Sequence, residues 1–231
     1  MNEITFEDRY RGYKINSDMD RGLGCHTKIL DRYLDHFEDM MEKHARIRQV
    51  RFDLRVPQES SEDITSENIS KFVNFLTKDI DRKNKMPGKG KKKSTEKFSG
   101  RHDPDPRIIL AEEKNISKHH HIHGVVLIND PCKQSAHDIH MRIERQWGNA
   151  LEISDARGLV DFCNKKGPSD YRIDRNDESK MEVINSATFQ ASYISKMNGK
   201  EDPRPGAWLV KGTRLPKKAD GPNDEEKTDE K

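Results

Sequence analysis

The chain has 231 residues, of which 31% are hydrophobic and 36% charged, so it holds one domain of ordinary size with polar extensions rather than packed core throughout. Its net charge of +2 conceals a separation, with Lys and Arg crowding residues 82–101 while Asp and Glu crowd the C-terminal tail. Three cysteines without a CxxC pair argue against a zinc ribbon or a secreted disulfide framework, and no apolar run is long enough for a signal peptide or membrane span, so a reduced cytoplasmic protein without membrane contact is expected.

Residues 1–23 are polar and are expected to form a flexible N-terminal segment. From Thr27 to about Ala45, Ile29, Leu30, Tyr33, Leu34, Phe37, Met40 and Met41 recur at three- and four-residue spacings, which predicts an amphipathic helix. Val50 to Val56 alternates strictly, apolar at even positions and charged at odd ones until Pro57, and so predicts a half-buried strand. A second helix starts from a Thr65 or Ser66 cap, with Ile69, Phe72, Val73, Leu76 and Ile80 on one side. Residues 83–106 combine Gly, Pro and many lysines, the composition of a basic mobile loop.

Ile108 to Ala111 begins a strand that ends in Glu112 and Glu113. After a polar turn, Lys114 to Lys118, residues 119–128 supply a second strand, and the two together predict a hairpin. Residues 136–148 carry Ile139, Ile143 and Trp147 at helical spacing. Short strands follow at 158–162 and 171–173, and a last helix runs from Met181 to Met197. Gly199, Pro203 and Pro205 then break the chain, and residues 216–231 are expected to be a disordered charged tail. The sum is an α+β fold: a central antiparallel sheet of about five strands, with helices packed on one face and around it.

Four of the ten histidines fall within residues 119–123. On a strand, alternation puts His119, His121 and His123 on one face and His120 on the other. Two imidazoles at i and i+2 can chelate one ion, and the partner strand can add Glu112 or Glu113. Two nitrogens and a carboxylate oxygen, without thiolate, suit Mn²⁺, Mg²⁺ or Zn²⁺. The plain alternative is a solvated histidine run, against which stand Ile122 within it and the apolar Gly124-Val125-Val126-Leu127-Ile128 after it. In the last helix Tyr193 and Lys196 are three apart and face the same way. A tyrosine hydroxyl over a metal-bound phosphate can attack phosphorus and form a covalent link, with a lysine steadying the charge or assisting proton transfer. Taken alone, Tyr193 also fits a core aromatic.

His121-Ile122-His123 and Tyr193-x-x-Lys196 together resemble the motifs of the HUH endonuclease superfamily of rolling-circle replication initiators and relaxases. More specifically, the chain resembles the inovirus replication-protein family of filamentous phages and prophages. Val50 to Arg55 is similar to that family's first strand and Glu112 to Leu127 to its metal hairpin, with Glu113 at the acidic position. Ala191 to Lys196 is similar to its nucleophile helix, and Lys211-Gly212-Thr213-Arg214 to its closing motif. The resemblance implies an HUH-like nicking domain over 24–215, with His121, His123 and Glu113 holding Mn²⁺ or Mg²⁺. It implies that Tyr193, aided by Lys196, cleaves one DNA strand at an origin and retains the 5′ phosphate, and that the reaction reverses to rejoin strands. The partner is then single-stranded origin DNA, with strand separation left to a host helicase or polymerase because no GxxxxGK[ST] loop occurs.

Two features depart from the pattern. Phe189 and Met197 occupy the positions one turn from Tyr193, so a single nucleophile is visible, and Ile122 is a plain aliphatic between the ligands. Asp53, His119 and Glu112 are candidate accessory residues, and Arg51, Arg55, Lys91, Lys92 and Lys93 candidate DNA contacts. Asp53 orients a histidine or the tyrosine if its strand face looks into the site, and is an ordinary surface charge if it does not. Alternatives are a non-catalytic DNA-binding prophage protein or regulator, and a metal-dependent hydrolase of another class with a structural Tyr193. The oligomeric state is not written in the sequence.

Overall fold

Short strands come first: β1 (Ile4–Thr5), the hairpin β2 (Arg9–Tyr10) and β3 (Tyr13–Lys14), and β4 (Cys25–His26), which pairs with β1. Then follow α1 (Thr27–Lys43), β5 (Arg46–Leu54), α2 (Ser66–Lys85), β6 (Arg107–Glu113), β7 (His121–Asn129) and α3 (Ala136–Leu151). The chain continues through β8 (Val160–Asp161), β9 (Asp170–Asp174), α4 (Lys180–Ala191), a 3-10 turn over Ser192–Ser195 and β10 (Val210–Gly212). The computed structural model describes residues 3–85, 103–114, 119–130, 135–164, 167–197, 200 and 210–215. Lys91, Lys92, Lys93, Cys132, Trp208 and the tail 216–231 lie outside them.

The class is α+β. Among the described residues, four α-helices surround a six-stranded antiparallel sheet in the order β10-β6-β7-β5-β8, with β9 also on β5. The sheet's central strands explain how the helices are distributed. Every residue of β6 is buried, as is every residue of β7 after His121, so both faces of the hairpin need cover. One face, with Val50, Phe52, Leu54, Leu110, Ile122 and Val126, packs against α2 and α3. The other, with Ile47, Ile109, Ala111, Val125 and Leu127, packs against α1 and α4. Two helices therefore stand on each face, a more even distribution than the sequence pattern suggests. Apolar residues at consecutive positions of β6 and β7 are the cause.

Local chemistry fixes the element ends. Thr65 caps α2 reciprocally with Asn68: Asn68 N donates to Thr65 Oγ1 at 3.1 Å, and Thr65 N to Asn68 Oδ1 at 2.9 Å. Ser135 and Asp138 form a capping box on α3. The expected basic loop starts later than its composition suggests, because α2 continues to Lys85. In β10, Gly212 has φ 147°, and a Cβ there would stand 1.9 Å from the Ile108 carbonyl oxygen. Only glycine allows this close pairing with β6.

The N-terminal segment is not loose over its described residues. Ile15 is buried, Tyr10 donates to Asp31 at 3.0 Å, and Arg11 pairs with Asp35 at 2.7 Å on α1. Its polarity misled because much of its attachment is polar: hydrogen bonds and ion pairs take the place of an apolar stripe.

His36 on α1 is fully buried. Burial, then Arg32 and Arg107 beside it, lower its pKa from 6.5 to about 4. The folded protein keeps this ring neutral in a range where the unfolded chain takes up a proton. Stability contributed by His36 is therefore lost as pH falls from about 6.5 to about 4, by about 3 kcal/mol in all. Denaturant unfolding between pH 7 and 4 should show a shallower decline for His36→Phe than for the wild type. Parallel curves would remove His36 from the account.

Candidate active site

Asp53 pairs with His123 across the β5–β7 ladder, while Ala111 pairs with His123 and Glu113 with His121 across the β6–β7 ladder. Residues paired in this way share a sheet face, so the acids and the imidazoles meet on the side covered by α1 and α4. Asp53 Oδ1 lies 2.7 Å from His123 Nδ1, and Glu113 Oε2 lies 2.7 Å from His123 Nε2. The imidazole is thus gripped at both nitrogens. Burial works against a charge on His123, but the bonds to Asp53 and Glu113 outweigh it and raise its pKa.

Burial also disfavours charge on Glu113, yet His123 and Lys200 pull its pKa down to about 2. Lys200 Nζ is 3.3 Å from Glu113 Oε2, with its side chain wholly enclosed. Burial lowers the Lys200 pKa, opposed by the attraction of Glu113. His121 is half-buried, and burial followed by the charge of Arg55 lowers its pKa. Neutral imidazole, the form that can coordinate a metal, is therefore favoured at His121.

Tyr193 lies on the 3-10 turn, half-buried, with its ring centroid 5.5 Å from that of His123 and the planes at 81°. The Arg51 guanidinium carbon is 4.5 Å from the Tyr193 ring centroid and Lys196 Nζ is 5.1 Å from it. Arg51 also donates to Asp53 Oδ1 at 3.1 Å, linking the tyrosine face to the histidine support. Burial, then Glu113, raise the phenol pKa while Arg51 lowers it. The phenol is a protonated donor at neutral pH.

Buried and backbone contacts hold this turn in register. Gln49 on β5 accepts from Tyr33 Oη at 2.7 Å and donates to the Ala187 carbonyl at 2.8 Å, tying α1 and α4 to the sheet. Asn16 N donates to Ser192 Oγ at 2.7 Å, Met197 N to Gly24 O at 3.0 Å, and Cys25 bridges Lys196. The last helix was expected to run to Met197, but α4 stops at Ala191 and tightens. The hydroxyls of Ser192 and Ser195 donate to the carbonyls of Phe189 and Ser192, turning the backbone away from regular helix.

Strand alternation also corrects some expectations. Glu112 pairs with Ile122 and so turns to the opposite face, where its Oε1 is 3.9 Å from His120 Nε2. His120 is held there by Asp63, whose Oδ1 accepts from the His120 backbone N at 2.9 Å. Glu112 is therefore not an accessory to the His123 cluster. His119 is buried immediately before β7. Arg51, expected to contact DNA, is only 7% exposed and packs on Tyr193, whereas Arg55 is exposed. Lys200 is a residue the sequence did not reveal, since a lone lysine near Gly199 carries no periodic or motif signal.

A groove of about 1220 Å³ opens over Arg51, Asp53, Tyr193 and Lys196, with Cys163 also in its wall. His123 and Glu113 lie behind it, 5% and 6% exposed. The implied divalent ion can be tested against this donor set. With a carboxylate at each nitrogen the His123 ring is favoured in its protonated form; to ligate an ion it would give up the Nε2 proton and keep the Asp53 bond at Nδ1 as its support. With His121, two imidazoles and a carboxylate are donor types that a divalent ion such as Mn²⁺ would accept. Among the described residues no group of three or more such side chains is gathered tightly enough to grip an ion as it stands. Binding would exchange the His123–Glu113 bond for bonds to the ion.

Among the described residues, no helix is long and apolar enough to cross a membrane. The chain matches the family described as YagK/YfjJ C-terminal domain over residues 8–204. No curated protein and no solved structure matches it.

Proposed function

We propose, from the premise that the chain belongs to the prophage-associated YagK/YfjJ C-terminal domain family, that this member nicks and rejoins single-stranded DNA at a replication origin through a 5′-phosphotyrosine. One observation carries the reading: a half-buried tyrosine ring 5.5 Å from an imidazole that is braced by two carboxylates, with Arg51 and Lys196 beside the ring. The order of the histidine, tyrosine and closing motifs supports the more specific assignment to an HUH initiator of the inovirus type.

In this mechanism Tyr193 Oη attacks the scissile phosphorus as the bond to the 3′ oxygen breaks; the phenol gives up its proton to water and the departing 3′ oxygen takes one up, with no net proton released. Lys196 neutralises phosphate charge, and Arg51 holds the ring from its other neighbour, Asp53. Asp53 fixes the His123 ring. His121, His123 and Glu113 would hold Mn²⁺ or Mg²⁺, which when bound would supply Lewis-acid polarisation of the phosphate. The freed 3′ hydroxyl primes synthesis and, as the attacking group in the reverse reaction, rejoins the strand.

The test is incubation with single-stranded origin DNA and Mn²⁺, followed by a denaturing gel and peptide mapping of any covalent species. Adduct on the peptide containing Tyr193 supports the reading; cleavage without adduct sinks it. Asp53→Asn should weaken Mn²⁺ binding about 10–100-fold by titration calorimetry, because the charge that orders His123 is gone. Unchanged affinity would separate Asp53 from ion binding. One observation favours the second reading, a DNA-binding relative without cleavage: Glu113 is already satisfied by His123 and Lys200. That protein would bind DNA and give no adduct with any metal.

A further inference from the structure

We infer that the groove beside Tyr193 holds an unpaired stretch of the DNA strand, with Phe189 stacking on one base and Lys14 contacting an adjacent phosphate. This rests on the nicking reading and extends it to how the substrate is held. At about 1220 Å³ the groove exceeds the roughly 300–1,000 Å³ usual for small-molecule pockets. It runs from the tyrosine turn along α4 to the N-terminal hairpin, and Arg9, Lys14 and Arg21 join Arg51 and Lys196 in its wall.

Phe189 is also in that wall, 39% exposed, on the α4 turn before Tyr193. An aromatic exposed in a groove that also carries basic side chains is suited to the face of a base. Lys14 Nζ sits over one face of the Phe189 ring, 5.4 Å from its centroid, so the phosphate-binding charge covers that face and the base stacks on the other. The pair is rigidly mounted. Lys14 N donates to Asn185 Oδ1 at 3.2 Å and Thr188 Oγ1 donates to Lys14 O at 3.0 Å, so hairpin and helix form one wall. Acids line the groove too: Asp18 lies 3.4 Å from Arg21, Asp53 accepts from Arg51 at 3.1 Å, and Asp161 and Glu182 complete the set. With Arg21 and Arg51 paired to acids, the phosphate path is assigned to the Lys14 and Lys196 flanks. A duplex keeps its base faces stacked internally, so the Phe189 platform selects single strands.

The experiment measures anisotropy of a fluorescein-labelled oligodeoxythymidine with the full chain in EDTA, where no cleavage occurs. Phe189→Ala should weaken binding about 10-fold, and Phe189→Trp should retain it. Lys14→Ala should reduce the slope of log affinity on log salt by about 0.7, the contribution of one single-strand phosphate contact. Thermal melting of Phe189→Ala confirms that this exposed position leaves the fold intact. Wild-type affinity in Phe189→Ala, or equal competition by duplex, would overturn the inference. An adduct at Tyr193 combined with Phe189-independent binding rejects the groove alone. Phe189-dependent binding without an adduct rejects the nicking reading and leaves the groove standing.

Discussion

Tyr193→Phe should abolish the covalent protein–DNA species and lower strand cleavage on the order of 10³-fold or more, as loss of a nucleophile does elsewhere. The substitution is unusually clean. Phenylalanine keeps the ring that meets His123 edge-on and lies under Arg51 and Lys196, and it removes only the oxygen. Binding of the oligonucleotide and thermal stability should stay near wild type, so the loss belongs to chemistry. A denaturing gel with radiolabelled DNA and Mn²⁺ reads the outcome. Residual cleavage close to wild type would mean that water or another side chain attacks phosphorus, and would move the protein to the hydrolase class.

Trp147→Ala should cost about 3–5 kcal/mol of folding stability. Trp147 is fully buried between α3 and the sheet, and its ring meets Phe72 at 5.6 Å and 87°. Its Nε1 also donates to the Arg55 carbonyl at 2.7 Å, where the chain leaves β5. Alanine would leave both a void and an unpaired carbonyl. For a domain of this length the melting temperature should fall by about 10 °C. Trp147→Phe should recover the packing part and not the hydrogen bond. A melting temperature within a degree or two of wild type for the alanine variant would show that the helix face collapses to fill the space.

Much of this architecture is legible in residue spacing. The heptad-like positions of α1, the Thr65 region before α2 and the alternation around Val50 to Leu54 each announce their element, and alternation alone puts His121 and His123 on one face. Asp53 was legible only as a conditional, because a charged odd position in a strand looks the same whether its face meets a site or water. The register Asp53–His123 decides it. Glu112 and Glu113 could not be separated by composition, since adjacent residues differ only in which face they take. The partner of His121 across the ladder is Glu113. A sequence shows the charge of Arg51 but not its cover, and only the structure shows that it is 7% exposed and lies against Tyr193. The 3-10 turn was hidden for another reason: serines that donate to nearby carbonyls are compatible with helix until tertiary contacts choose otherwise.

The docking of the N-terminal hairpin has a consequence for how the molecule is made. The bond from Lys14 to Asn185 spans 171 residues, and that from Asn16 to Ser192 spans 176. During translation the first two dozen residues emerge long before their partners exist, and must wait until nearly the whole domain has left the ribosome. A nascent chain stalled before residue 185 can make neither bond, and its N-terminal hairpin stays undocked.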